Sequence, residues 1–180
     1  MLRIVVPGVE FYDERQNMFV NKKPCTLQLE HSLLSLSKWE SKWKKPFLSK
    51  EPMTDEETID YIRCMTVTQN VDPEVYHRLS AENVREVQEY IQDPMTATTF
   101  SEEEGGKPNR EIITSEIIYY WMIAHNIPID REKWHLNRLL TLIRVCNIKN
   151  APPKKPKKRD MLRRQRELNA ARRAKTGSRG

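Results

Sequence analysis

Apolar and polar positions alternate over the first thirty residues and then change to helical spacing. Leu2, Ile4 and Val6 share one side of an extended chain. Pro7-Gly8 breaks the run, Val9–Tyr12 resumes it, and Asp13–Asn17 reads as a polar turn. Met18–Val20 is short and apolar, and Thr26–Glu30 alternates again with Leu27 and Leu29 on one face. This pattern predicts three or four short antiparallel strands joined by hairpins. So small a sheet needs a helix on one face. Ser32 is placed to cap that helix, with Leu36, Trp39 and Trp43 along one side and Pro46 ending it. Lys42, Lys44 and Lys45 suit its negative C-terminal end. Thr54 and Glu57 form a capping box ahead of Ile59, Ile62 and Met65. Asp72-Pro73 opens a further short helix, and Ser80 caps another through Val84, Val87 and Ile91 that Asp93-Pro94 closes. Residues 96–113 read as a hairpin with an acidic tip or as a loop.

The densest apolar stretch runs from Ser115 to Asn150 and predicts an αα-hairpin. Ile113, Ile117, Tyr120 and Ala124 recur at helical spacing, as do Leu136, Leu139, Leu140, Ile143 and Cys146. These are the expected core. Pro128 ends the first helix and Asp130 is the expected cap of the second. Tyr119, Trp121, Met122 and Trp134 fall largely off the stripe and are the expected partner contacts. Trp39 and Trp43 join them: interleaved with lysines, they fit either packing on the sheet or base stacking on nucleic acid.

The pattern therefore predicts an α+β fold, mostly helical. A small N-terminal antiparallel β-sheet packs on a helical domain with a central αα-hairpin, and a basic C-terminal tail follows. Strands occupy 1–30, helices 31–95, the hairpin or loop 96–113 and the αα-hairpin 114–150. Residues 151–180 form a Pro/Lys/Arg-rich linker and a nascent helix that orders on a partner.

Charge sharpens this division. The 180-residue chain is +6, yet residues 151–180 hold twelve Lys and Arg against Asp160 and Glu167. The tail is thus +10 and residues 1–150 are −4. The cations able to contact an acidic partner are Lys154, Lys155, Lys157, Lys158, Arg159, Arg163, Arg164, Arg166, Arg172, Arg173 and Lys175. A mean hydropathy of −0.75 and the lack of a long apolar run argue against a membrane span or a secretory leader. Cys25, Cys64 and Cys146 are odd in number and widely spaced, as expected of reduced thiols.

Catalytic signatures are missing: there is no HExxH, GxSxG, phosphate-loop or dinucleotide fingerprint. His125 and His135 flank the Pro128 turn but lack a third metal ligand in view. No enzyme, metal or cofactor is expected.

The segments TLQLEHSLLSLSKWESKWKKPFL, DYIRCM, PMTATTF, EIIYYWMIAHNIPID, KWHLNRLLTLIRVCNIKNAPPK and NAARRAK resemble tail assembly chaperones, encoded in the tail gene block of long-tailed bacteriophages. The resemblance spans nearly the whole chain and rests on overall pattern. It implies a non-enzymatic protein of the infected host's cytoplasm. Such a protein binds the helical tape measure protein, keeps it soluble and helps tail tube subunits polymerise around it. Two other readings stay open. One is a structural virion protein, a head-tail connector or a capsid or tail component, whose basic arm contacts neighbouring subunits, including self-association. The other is a nucleic-acid-binding module acting through the tail.

Overall fold

The computed structural model describes residues 1–13, 17–49, 51–100, 112–151 and 158–177. The fold is α+β and mostly helical. Four strands open the chain: β1 (Leu2–Val6), β2 (Val9–Asp13), β3 (Met18–Lys22) and β4 (Cys25–Leu29). β1 pairs antiparallel with β4, and β2 with β3. Val6 stands opposite Cys25 and Val9 opposite Lys22, so the register runs on unchanged between the two ladders. The four strands are one long hairpin, interrupted once. Pro7 and Pro24 flank the interruption, and neither has an N–H to give the ladder. Gly8 is needed there, because a Cβ would sit 2.7 Å from the Lys22 carbonyl oxygen. The Arg78 guanidinium bridges the gap, donating to the carbonyls of Pro7 at 3.1 Å and Lys23 at 3.5 Å.

Local capping starts the next helices where the sequence places them. Ser32 and Ser35 cap α1 (Leu33–Trp43), Thr54 and Glu57 cap α2 (Asp55–Met65), and Ser80 and Asn83 cap α3 (Ala81–Gln92). Between α2 and α3 a 3-10 turn spans Pro73–Arg78, and Asp72 accepts from the Glu74 amide at 3.0 Å. Then follow α4 (Ser115–Ala124), a 3-10 turn over Ile129–Lys133, α5 (Leu136–Asn150) and α6 (Lys158–Thr176).

α1 is the central wall of the fold. Its Trp39 joins a core made by Ile4, Val6, Leu27 and Leu29 of the sheet with Tyr61, Ile62 and Met65 of α2. Its Leu33 and Leu36 join a second core with Ile118, Met122, Leu136, Leu139 and Ile143. Each of these aliphatic side chains, removed from water, contributes roughly 1.5–3 kcal/mol before entropy is counted.

The αα-hairpin departs from expectation in two ways. Asp130 does not cap α5; it lies in the 3-10 turn, and α5 starts later, where the Leu136 amide donates to the His31 carbonyl at 2.7 Å. The inward face of α4 is also different. Ile118 and Met122 are fully buried, Ile113 and Ile117 are half-buried, and Tyr120 and Ala124 are exposed. The expected α5 stripe does face inward at Leu136, Leu139 and Ile143.

Residues 96–100 and 112–114 contain no strand. The rest of the expected hairpin, 101–111, lies outside the described residues, as does the linker 152–157 with Lys154, Lys155 and Lys157. The chain divides into two compact units, Met1–Cys146 and Asn147–Gly180. In the second, α6 is a helix of 19 residues. Among the described residues no helix is long and apolar enough to cross a membrane.

Candidate partner-binding surface

The two tryptophans of α1 serve the interior. Trp39 is 2% exposed, and its indole N–H donates to the Glu57 carbonyl at 3.0 Å. Trp43 is half-buried and donates to the Asp60 carboxylate at 2.9 Å. The neighbouring lysines are paired as well, Lys42 with Asp60 and Lys45 with Glu57, both at 2.5 Å. Lys45 and the Thr54 amide hold the Glu57 carboxyl below its ordinary range. Burial works to raise Asp60, but Lys42 and Trp43 hold it below the usual value. These contacts fasten α1 to α2. Trp39 is buried and is therefore not the partner contact expected of it; Trp43 keeps part of its ring exposed.

Of the four expected contacts on the hairpin, Met122 is fully buried and belongs to the core. Tyr119 and Trp121 are half-buried against the second core. The Tyr119 hydroxyl donates to Glu132 at 2.7 Å, and burial together with that carboxylate pushes its pKa up. Trp134 is half-buried, with the guanidinium groups of Arg131 and Arg138 4.6 and 4.2 Å from the ring centre. Such cation–π contacts are worth about 0.5–1 kcal/mol each when exposed. They hold the turn between α4 and α5 in shape.

The residues that do face outward were missed. Tyr120 is 66% and Ile123 70% exposed, and with Ala124 they lie on one side of α4. Ile112 and Ile129, just before and after the helix, are exposed too. The opposite side of the same helix holds Ile118 and Met122 in the core. α4 is thus packed on one side and exposes Tyr120 and Ile123 on the other, with Glu116 beside them in the first turn. Its N-terminus is anchored by an unexpected residue: Thr114 makes no side-chain cap, and the buried Glu40 carboxylate accepts the Ser115 amide at 2.8 Å instead. The other Glu40 oxygen accepts the Phe47 amide at 2.9 Å. A sequence gives no sign of a cap supplied from a distant helix.

The ionisable groups of the interior have structural tasks. His31 is hydrogen-bonded to the Tyr61 hydroxyl at 2.6 Å, and its ring centre lies 5.1 Å from that of His135. Burial, reinforced by His135, lowers the His31 pKa to about 3. The His135 Nε2–H donates to the Tyr90 carbonyl at 3.0 Å, which leaves the buried Nδ1 without a partner. The structure thus sets His135 against His31. A cleft of about 430 Å³ near the start of α1 is lined by Leu34, Lys38, Cys64 and Val67. Burial and the Asp60 carboxylate push the Cys64 thiol up, away from the reactive thiolate. Among the described residues no group of three or more His, Cys, Asp or Glu is arranged to hold a metal ion.

The basic residues of the tail that are described fall on α6, where every described side chain is exposed. Arg159, Arg163, Arg164, Arg166, Arg172, Arg173 and Lys175 all lie on this helix. Lys158 is its first residue. No family model, no curated protein and no solved structure matches the chain.

Proposed function

We propose that the chain is a non-enzymatic assembly protein that holds an amphipathic helical client against the outer side of α4. The observation that carries this reading is the outward pair Tyr120 and Ile123 on a helix whose other side is already packed. Contiguous large apolar side chains on a soluble surface favour a partner. A client helix with apolar anchors at i, i+3, i+4 and i+7 is the natural complement of such a face. The resemblance to tail assembly chaperones names the client: the tape measure protein, kept soluble in the infected cell while tail tube subunits polymerise around it.

Co-expression with the tape measure protein of the same genome tests this. The full chain should raise the soluble fraction of the client. Tyr120→Asp combined with Ile123→Asp should remove that effect while leaving the circular dichroism and melting temperature of the chain unchanged. A client equally soluble with and without the chain refutes the reading.

One observation favours a second reading, a structural component of the virion. Tyr12, Met18 and Phe19 stand exposed on the outer strand pair β2–β3. A two-stranded ribbon with open edges can be extended by a neighbouring subunit. Stoichiometric presence in purified particles would select this reading, and absence would remove it.

A further inference from the structure

α6 carries charge in an arrangement that a flat partner does not require. At 100° per residue, Arg159, Arg163, Arg166 and Arg173 fall along one side of the helix. Arg164, Arg172 and Lys175 fall along the opposite side. Between these two basic sides run two different flanks. One carries the helix's acids, Asp160 and Glu167. The other begins at Lys158 and then carries Leu162, Gln165 and Asn169 at helical spacing with no further charge. From Arg159 to Arg173 the basic side is about 21 Å long, at a rise of about 1.5 Å per residue.

Each candidate partner makes its own demand on such a helix. A bilayer surface needs an uninterrupted apolar side. Here Met161 and Leu168 lie among the cations of the second basic side and Leu162 lies apart from them, so that side is lacking. An acidic protein surface would meet one basic side and leave the other in water. The major groove of double-stranded DNA has two phosphate walls about 12 Å apart, which admit one helix of about 10–12 Å diameter. Two opposed basic sides match two walls. A flank uncharged beyond its first residue and bearing amide side chains suits the floor, where Asn and Gln can reach base edges. The acidic flank then points to solvent, away from the phosphates. The Arg163–Glu167 pair, 3.0 Å and highly exposed, is a weak intrahelical contact that a phosphate can replace.

We propose that α6 is a DNA-binding helix that lies in the major groove of double-stranded DNA. Its two basic sides meet the two phosphate walls, and Leu162, Gln165 and Asn169 face the groove floor. This goes beyond the client-binding role of α4 and does not depend on it.

Fluorescence anisotropy of a labelled DNA duplex with the full-length protein tests the assignment. Seven basic side chains on phosphates give a slope of log affinity against log salt of about −6, a loss of roughly 10³-fold or more between 50 and 200 mM. Replacing one side, Arg164→Gln with Arg172→Gln and Lys175→Gln, should reduce that slope by about 3. Replacing three of the four cations on the other, Arg159→Gln with Arg163→Gln and Arg166→Gln, should do the same. A pair of variants with equal net charge locates the floor. Gln165→Glu with Asn169→Glu should weaken binding at least tenfold more than Ala171→Glu with Ala174→Glu, and the circular dichroism of each should show the helix retained. Three results overturn the proposal: no anisotropy change at about 50 mM salt, equal losses from the two glutamate pairs, or affinity for polyglutamate or anionic vesicles as high as for the duplex.

Discussion

The two halves of the N-terminal hairpin share one register and have opposite surroundings. In β1 and β4, Ile4 and Leu27 face each other at 1% and 0% exposure beneath α1 and α2. In β2 and β3, Tyr12 and Phe19 face each other at 47% and 69%, their rings 5.1 Å apart edge to face. The Tyr12 hydroxyl also donates to the Asn17 side chain across the turn. Strand pairing by itself is therefore not what stabilises the inner half. The outer half has the same ladder and a good cross-strand aromatic pair, worth about 0.2–1 kcal/mol. A lone two-stranded hairpin is marginal in water. Burial separates the two, and the Pro7/Pro24 interruption marks where burial stops.

The largest expected contrast is a matched pair of truncations. Leu27→Ala in the inner half should cost about 2–5 kcal/mol of unfolding free energy. Phe19→Ala in the outer half should stay within about 0.5 kcal/mol. Urea denaturation measures both, and equal losses would mean that the outer half is covered in solution.

Acid should act on the inner half next. His31 follows β4, and its pKa is lowered from 6.5 to about 3 in the folded chain. The unfolded chain takes up that proton first, so stability is complete above pH 6.5 and declines as pH falls towards 3. The decline from this group is at most about 1.4 kcal/mol per pH unit. His31→Gln should flatten the dependence between those limits. An unchanged slope would assign the effect elsewhere, with His135, also lowered by burial, the first alternative.

The interruption itself is the third place to test. Gly8→Ala forces a Cβ against the Lys22 carbonyl and should cost about 1–3 kcal/mol. The smallest effect belongs to Arg78→Met, which removes hydrogen bonds worth about 1 kcal/mol. Its diagnostic is local: amide hydrogen exchange should quicken in β2 and β3 and change little in β1 and β4. Uniform quickening would mean that the clasp supports the whole hairpin.

The parts of this fold legible from sequence are those fixed by neighbours in the chain. Ser32, Thr54 and Ser80 start their helices because each cap bonds an amide three residues away. The inward side of α5 was readable because the exposed Arg138 and Arg144 mark its other side. α4 had no such reference. Its sequence SEIIYYWMIA is apolar almost all round, so periodicity could not fix its rotation, and the stripe fell one residue away from the packed side. The continuous hairpin was equally hidden, since Pro7-Gly8 reads as a turn and the β1–β4 pairing spans the whole intervening ribbon. For the candidate surface, charge alone located α6. The outward position of Tyr120 and Ile123 depends on the rotation of α4 and was not accessible.

The Glu40 carboxylate has one more consequence, for protein engineering. By taking the Ser115 amide on one oxygen and the Phe47 amide on the other, it ties the segment that follows α1 to the start of α4 at a single point. The start of α4 is then set by α1 and not by the length of chain that leads up to it. Loop closure costs only about 0.6 kcal/mol for each doubling of length. An epitope or fluorophore tag inserted after Thr98 should therefore be carried without a change of fold, giving a handle for following the protein. The same insertion in a Glu40→Ala background should shift the melting temperature by more than either change alone.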